Sequence, residues 1–171
     1  MGYVYVNVRI SPVYYIVTVV LFISIWMVTK NVACSLLSAY CFMIIAATVL
    51  SRDINSVVQY DFKPFVSYKD AFSNRDTWWQ IACNVGMAVP IGLLLPVSMN
   101  KSSKCGKRLL ITLVVGISFS IFIEALQFIL HRGYSETDDV ISSLIGLLIG
   151  FIIYGLIDEI ISWVRKNKSV V

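Results

Sequence analysis

A short polar segment between two long apolar stretches holds the residues that could do chemistry. The segment reads HRGYSETDDVISSLIG over residues 131–146 and contains Arg132, Asp138 and Asp139, while Glu124 precedes it in the apolar stretch. Carboxyl groups in different surroundings can divide the acid and base roles of a reaction. Together with a guanidinium group, they can equally bind a polar ligand. The residue types therefore leave a catalytic site and a binding site open.

The elements that must position these residues are membrane helices. Of the 171 residues, 58% are hydrophobic and 14% are charged, and the mean hydropathy of +0.80 lies outside the range of soluble domains. A helix needs about 20 apolar residues to cross the hydrocarbon core, and backbone groups in lipid must be hydrogen-bonded within the segment. We predict an all-α, polytopic membrane helical bundle, one domain over 1–171. Its five predicted transmembrane helices are 13–29, 32–50, 81–99, 109–130 and 140–161.

The distribution of Lys and Arg predicts the orientation of the bundle. The densest basic cluster lies in the loop 100–108, on the same side as Lys30 and the basic tail 165–168. The positive-inside rule then places the N-terminus outside and the C-terminus in the cytoplasm. The first apolar stretch is too long for a signal peptide, so we expect a retained helix. The polar and aromatic segment 51–80 is expected to lie outside, as loop and short helix on the membrane surface.

Helical spacing predicts that polar faces of the fourth and fifth helices meet. Glu124, Gln127 and His131 share one face, and Asp139 and Ser143 share another. A charged group in the membrane costs about 2.5–3.5 kcal/mol on insertion scales, so Glu124 should face protein, water or a ligand. We predict a polar pocket that is open to the outside. Its candidate residues are Asn84, Glu124, Gln127, Arg132, Asp138, Asp139 and Ser143.

Structural roles compete with these functional ones. Asp138 and Asp139 could cap the helix that they begin, and Glu124 could form an interhelical hydrogen bond or an ion pair with Arg132 or Arg75. His131 would suit a membrane interface. We expect no metal or other cofactor, because no metal-ligand spacing and no CxxC pair is present. The residues predicted to pack helices closely, or to kink them, are Gly86, Pro90, Gly92, Gly146 and Gly150.

These motifs resemble those of the VanZ-like membrane proteins. The similar segments are NVGMAVPIGLLLP, IEALQ, the following Arg, and DDVISSLIGLLIGF, and the resemblance covers about residues 45–155. Ser143 stands where the family usually has Asn, and Glu136 and Thr137 replace its usual aspartate and apolar residue. The positions that match the family pattern are Asn84, Pro90, Gly92, Glu124, Gln127, Arg132, Asp138, Asp139 and Gly146.

The resemblance implies a cell-envelope protein that contributes to resistance against the glycopeptide teicoplanin, in the cytoplasmic membrane of a Gram-positive bacterium. One hypothesis is that the pocket binds or shields an envelope precursor or a glycopeptide. A second is an enzyme that acts on a lipid-linked wall precursor, although no nucleophile elbow accompanies the carboxyl groups. A third is a non-catalytic membrane adaptor. The bilayer is the expected partner. Nucleic acid is not expected, because basic residues of the inner face explain the net charge of +4. The sequence does not identify a protein partner.

Overall fold

The fold is a bundle of long helices, and a computed structural model describes residues 10–55, 57, 59–99 and 103–168. Arg9 and part of the basic loop 100–108 therefore lie outside the described residues. The elements in chain order are α1 (Pro12–Thr29), α2 (Val32–Ile45) with a π-helical turn (Ala46–Leu50), β1 (Gln59–Asp61), α3 (Val66–Ala71), α4 (Arg75–Ser98), α5 (Cys105–Leu130), β2 (Tyr134–Glu136) and α6 (Thr137–Lys168).

Five of these helices are long and apolar enough to cross a membrane. They are α1, α2 with its π-helical turn, α4, α5 and α6. The predicted all-α membrane bundle with five spans is therefore confirmed, and the chain is a multi-pass membrane protein.

Several helices extend beyond their predicted apolar cores. The third membrane helix was predicted from residue 81, but α4 begins at Arg75 because the Asn74 side chain accepts a hydrogen bond from Asp76 N at 3.0 Å. α5 begins at Cys105, without a side-chain cap, and α6 continues to Lys168. Hydropathy marks the part of a helix that lies in lipid, whereas its polar first and last turns depend on caps.

Arg108 illustrates this difference. It was predicted in the basic loop, but it lies in the first turns of α5 and is buried. Its guanidinium donates a hydrogen bond to the Tyr154 hydroxyl of α6 and lies 5.9 Å from the centre of the Tyr154 ring. Arg108 therefore joins two helices at this end of the bundle instead of standing in a loop.

The most extensive helix pair is α4 with α6, and small residues bring the two backbones together. A Cβ added at Gly92 would overlap the Leu147 carbonyl oxygen, and one added at Gly146 would overlap that of Val85. Gly150 lies in the same way against Val89. Helices with such interfaces approach closely enough for dispersion contacts between their backbones.

Two of the residues predicted at helix interfaces behave differently. Gly86 is exposed and has open space around its Cβ position, so its predicted packing role is wrong. α4 continues through Pro90, which is partly buried. Proline removes a backbone donor within a helix. In the turn before Pro90, the Met87 carbonyl accepts a hydrogen bond from the Tyr40 hydroxyl of α2 at 3.0 Å.

One end of the bundle carries an ordered polar structure, here called the loop end. It comprises the described residues of 51–74 together with 131–136. β1 pairs in parallel with β2, with Tyr60 opposite Ser135, and Asn55 N donates to His131 O at 2.7 Å. The sequence predicted loop and short helix here, and α3 is that helix. The three-residue strands were not predicted because they are too short to give a sequence pattern.

Candidate functional site

A cavity of about 50 Å³ lies among α2, α4, α5 and α6, with its polar residues toward the loop end. It has several times the space of about 10–15 Å³ that one water molecule needs. Its lining includes five of the seven predicted pocket residues, namely Asn84, Glu124, Gln127, Asp139 and Ser143. The predicted polar faces of α5 and α6 therefore meet.

Glu124 joins α5 to the start of α6. Its Oε2 accepts a hydrogen bond from Glu136 N at 2.8 Å, and its carbonyl oxygen accepts one from the Ser135 hydroxyl at 3.2 Å. This hydrogen bond to the strand before α6 is close to the interhelical hydrogen bond that was predicted as a structural alternative. Arg132, one of the two predicted ion-pair partners, donates to Leu50 O instead. A carboxylate that binds an amide before the first turn of a helix also faces the positive end of the helix dipole.

Two further side-chain contacts cross the cavity at neighbouring levels. Asn84 Nδ2 of α4 donates to Asp139 Oδ1 of α6 at 2.5 Å. One turn further along α6, Ser143 Oγ accepts a hydrogen bond from Ser120 Oγ of α5 at 3.0 Å. These polar residues therefore connect three different membrane helices around one space.

Gln127 has an unsatisfied acceptor. Its Nε2 donates to Thr48 O at 3.2 Å, within the π-helical turn, where it satisfies a carbonyl near the end of α2. This contact fixes the orientation of the amide, because a carbonyl oxygen accepts only from the nitrogen. Gln127 is only 4% exposed, and no described residue donates a hydrogen bond to its Oε1. Such an atom costs about 1–3 kcal/mol unless a donor reaches it.

Arg52 is a cavity residue that was not among the predicted site residues. It lines the cavity and interacts electrostatically with Glu124, Glu136 and Asp139. Its side chain lies against Gly133, where φ is +89° and an added Cβ would overlap the guanidinium. Helical periodicity could not place Arg52, because it follows the π-helical turn and lies in irregular backbone. Its position directly after the second apolar stretch was the available signal.

Two predicted pocket residues lie outside the cavity and have structural contacts. Asp138 is 2% exposed, and its carboxylate accepts hydrogen bonds from Phe65 N at 2.6 Å and Ser67 N at 2.8 Å. It caps α3 across the loop end instead of contributing to the pocket. Arg132 Nη1 donates to Leu50 O at 2.7 Å, and so it satisfies the end of the π-helical turn. The prediction placed both residues in the pocket, which is wrong. Their partners lie in segments that are distant in sequence, so the sequence did not reveal these contacts.

Glu136 is a second buried carboxyl group at the loop end. Its side chain is 5% exposed, and its Oε2 accepts a hydrogen bond from Ser67 Oγ at 2.9 Å. Burial raises the pKa of Glu136 above its usual value, and the neighbouring Asp138 and Asp61 raise it further, while the Ser67 hydroxyl and Arg52 lower it. Because burial is the largest of these effects, the folded protein holds the proton of Glu136 more tightly than the unfolded chain does.

The two serines beside the cavity are not arranged as nucleophiles. Ser142 Oγ bonds to Asp138 O and to the Tyr68 hydroxyl, both at 2.8 Å, and Ser143 bonds to Ser120. Neither contact is the pair of hydroxyl and side-chain base that activates a nucleophile. Among the described residues, no group of three or more His, Cys, Asp or Glu side chains could hold a metal ion.

The comparison with protein families gives a match that covers most of the chain. A family model with the description VanZ/LLP1 matches residues 13–158, which is most of the chain and includes the whole cavity. No curated protein and no solved structure matches the chain.

Proposed function

The chain belongs to the VanZ/LLP1 family, and we propose that it binds or shields an amphiphilic cell-envelope component through its polar cavity. In this proposal the loop end faces outward from the cytoplasmic membrane of a Gram-positive bacterium, and the protein contributes to resistance against teicoplanin. The family name supports the resistance role, and the position of the basic residues supports the orientation.

The observation that carries the proposal is the unsatisfied Gln127 Oε1 beside two carboxyl groups. Glu124 and Asp139 line the same cavity as this atom. Polar and ionisable groups in membrane helices are costly, and they commonly mark substrate pathways or ligand sites. Interhelical hydrogen bonds account for Asn84 and Ser120, but they leave an acceptor at Gln127 open. A ligand that donates a hydrogen bond to Gln127 Oε1 would remove the free-energy cost of this unsatisfied atom, so the open acceptor supports a binding role.

The size of the cavity limits what it can hold. Sites that enclose a drug-sized ligand usually have about 300–1,000 Å³, whereas this cavity has about 50 Å³. It can therefore receive a small polar group at the end of a larger molecule, while the rest of that molecule stays in the membrane or on the loop end. A complete glycopeptide does not fit inside.

Thermal unfolding of the purified protein in nanodiscs tests this function. Teicoplanin and a polar lipid extract from a Gram-positive membrane are the probes. We expect at least one of them to raise the Tm in a saturable way, because a ligand that binds the folded state stabilises it. Gln127→Leu should lose this rise, whereas Asp158→Asn, an exposed carboxyl group of α6, should keep it. An unchanged Tm with both probes would refute the proposal.

A further inference from the structure

We infer that the group received by the cavity is a primary ammonium group. This inference rests on the proposed binding function and adds the chemical class of the ligand.

Three side-chain donors of the cavity already have partners. Asn84 Nδ2 donates to Asp139, Gln127 Nε2 to Thr48 O, and Ser120 Oγ to Ser143. The acceptors that can take a further donor are the buried Gln127 Oε1, which has none, and the carboxyl groups of Glu124 and Asp139. A ligand that only accepts hydrogen bonds would leave the Gln127 acceptor unsatisfied. A ligand with several N–H donors would match all three residues.

The charged residues of the cavity also favour an ammonium group as the ligand. Glu124 and Asp139 stand against a single lining guanidinium, that of Arg52. Buried charges are tolerated when they are paired. When both carboxyl groups are ionised, the described lining residues offer no second cation for them. An ammonium group supplies the missing positive charge and three donors at the same time.

The cavity volume and the number of side chains that could coordinate a metal ion favour an ammonium group over a metal ion. A cavity of about 50 Å³ accepts an ammonium group with a short alkyl stem, and Ile91, Ile123 and Leu147 provide an apolar wall for the stem. Calcium usually takes about six to eight oxygen ligands in proteins. The described residues offer no group of three or more acidic, His or Cys side chains for such an ion.

The test uses four small probes on the full-length protein in nanodiscs. Ethylammonium has both the charge and the donors, tetramethylammonium has the charge without a donor, ethanol is neutral, and acetate is an anion. Sodium chloride keeps the ionic strength constant, so each shift in Tm is measured relative to sodium. We expect a saturable rise of about 3 °C with ethylammonium near ten times its Kd. The other three probes should leave the Tm unchanged.

Three variants connect the shift to the cavity. Asp139→Asn and Glu124→Gln keep the side-chain shapes and should each weaken ethylammonium binding at least tenfold, because each removes a charged acceptor. Asp158→Asn removes an exposed carboxyl group from the same helix as Asp139 and should bind as the wild type does.

The outcomes separate the ammonium inference from the proposed function. An equal shift with tetramethylammonium, ethanol or acetate would overturn the inference. So would an unchanged affinity in both cavity variants, or the absence of any shift with ethylammonium. If ethylammonium fails while teicoplanin or the lipid extract still raises the Tm through Gln127, the cavity binds a different group and the proposed function stands. If all probes fail, both proposals are wrong.

Discussion

At the scale of residues, carboxyl groups that look alike in the sequence have different roles in the structure. Asp138 and Asp139 are neighbours in the first turn of α6, yet Asp138 caps α3 and Asp139 lines the cavity. Successive residues of a helix point about 100° apart, so adjacent side chains reach different partners. The sequence predicted both as pocket residues, because it does not reveal which segment packs beside each of them.

Glu136 gives a prediction about pH. Its raised pKa means that the folded state holds the proton more tightly than the unfolded state does. The free energy of unfolding should therefore decrease as the pH rises from the usual pKa of 4.5 through the raised value. Glu136→Gln removes this contribution while keeping an acceptor for Ser67.

The Tm of both proteins as a function of pH checks this prediction. Subtracting the curve of the variant removes the contributions of the other titrating groups. We expect the wild type to lose stability relative to the variant as the pH rises through this interval. Parallel curves would show that Glu136 does not couple folding to protonation.

At the scale of elements, the close pairing of α4 with α6 holds the cavity together. Gly92, Gly146 and Gly150 line the contact, and Asn84 and Asp139 join the same two helices nearer the loop end. A change in the distance between α4 and α6 would therefore alter both the contact between the two helices and the position of the cavity wall. The sequence predicted these glycines as packing residues, but it could not distinguish them from Gly86, because glycine in a membrane helix gives no sign of the face that it occupies.

Glycine substitutions test the helix pairing. Gly146→Ala places a methyl group against the backbone at Val85, which cannot move like a flexible side chain. Overpacking of this kind costs about 1–3 kcal/mol, so we expect the Tm to fall by several degrees. Gly86→Ala enters open space and is the matched control. Equal values of Tm for the two variants would contradict the described interface.

The anchoring of α3 gives a second prediction at this scale. Asp138→Ala removes both hydrogen bonds to the start of α3, and hydrogen bonds to charged groups are each worth about 1.5–3 kcal/mol. Hydrogen–deuterium exchange over residues 65–71 should become faster, while the membrane helices remain protected. Asp158→Ala serves as the control. Unchanged exchange in this segment would mean that Asp138 does not hold α3.

At the scale of the whole molecule, hydropathy was sufficient for the fold class and the number of membrane helices. The five spans follow from the length of the apolar stretches, which is set by the thickness of the bilayer. The position of Arg52 and the pairing of β1 with β2 could not be predicted in this way. Both depend on contacts between the described residues of 52–61 and residues 131–136, which are distant in sequence and lack helical periodicity.

Thiol labelling tests the predicted orientation of the molecule. Cys105 is exposed at the start of α5, and Ser73 is exposed at the loop end. In a background in which Cys34, Cys41 and Cys83 are replaced by Ser, an impermeant maleimide should label Ser73→Cys in intact cells. Cys105 should react only after permeabilisation. Labelling in the reverse order would overturn the orientation and the outward position of the loop end.

The most direct test of the central claim is the susceptibility of a Gram-positive host to teicoplanin. The host expresses wild type, Glu124→Gln, Asp139→Asn or the control Asp158→Asn at matched membrane levels. We predict that wild type and the control raise the minimum inhibitory concentration, and that both cavity variants lose this protection. Protection by the cavity variants equal to that of the wild type, or no protection by the wild type, would contradict the account.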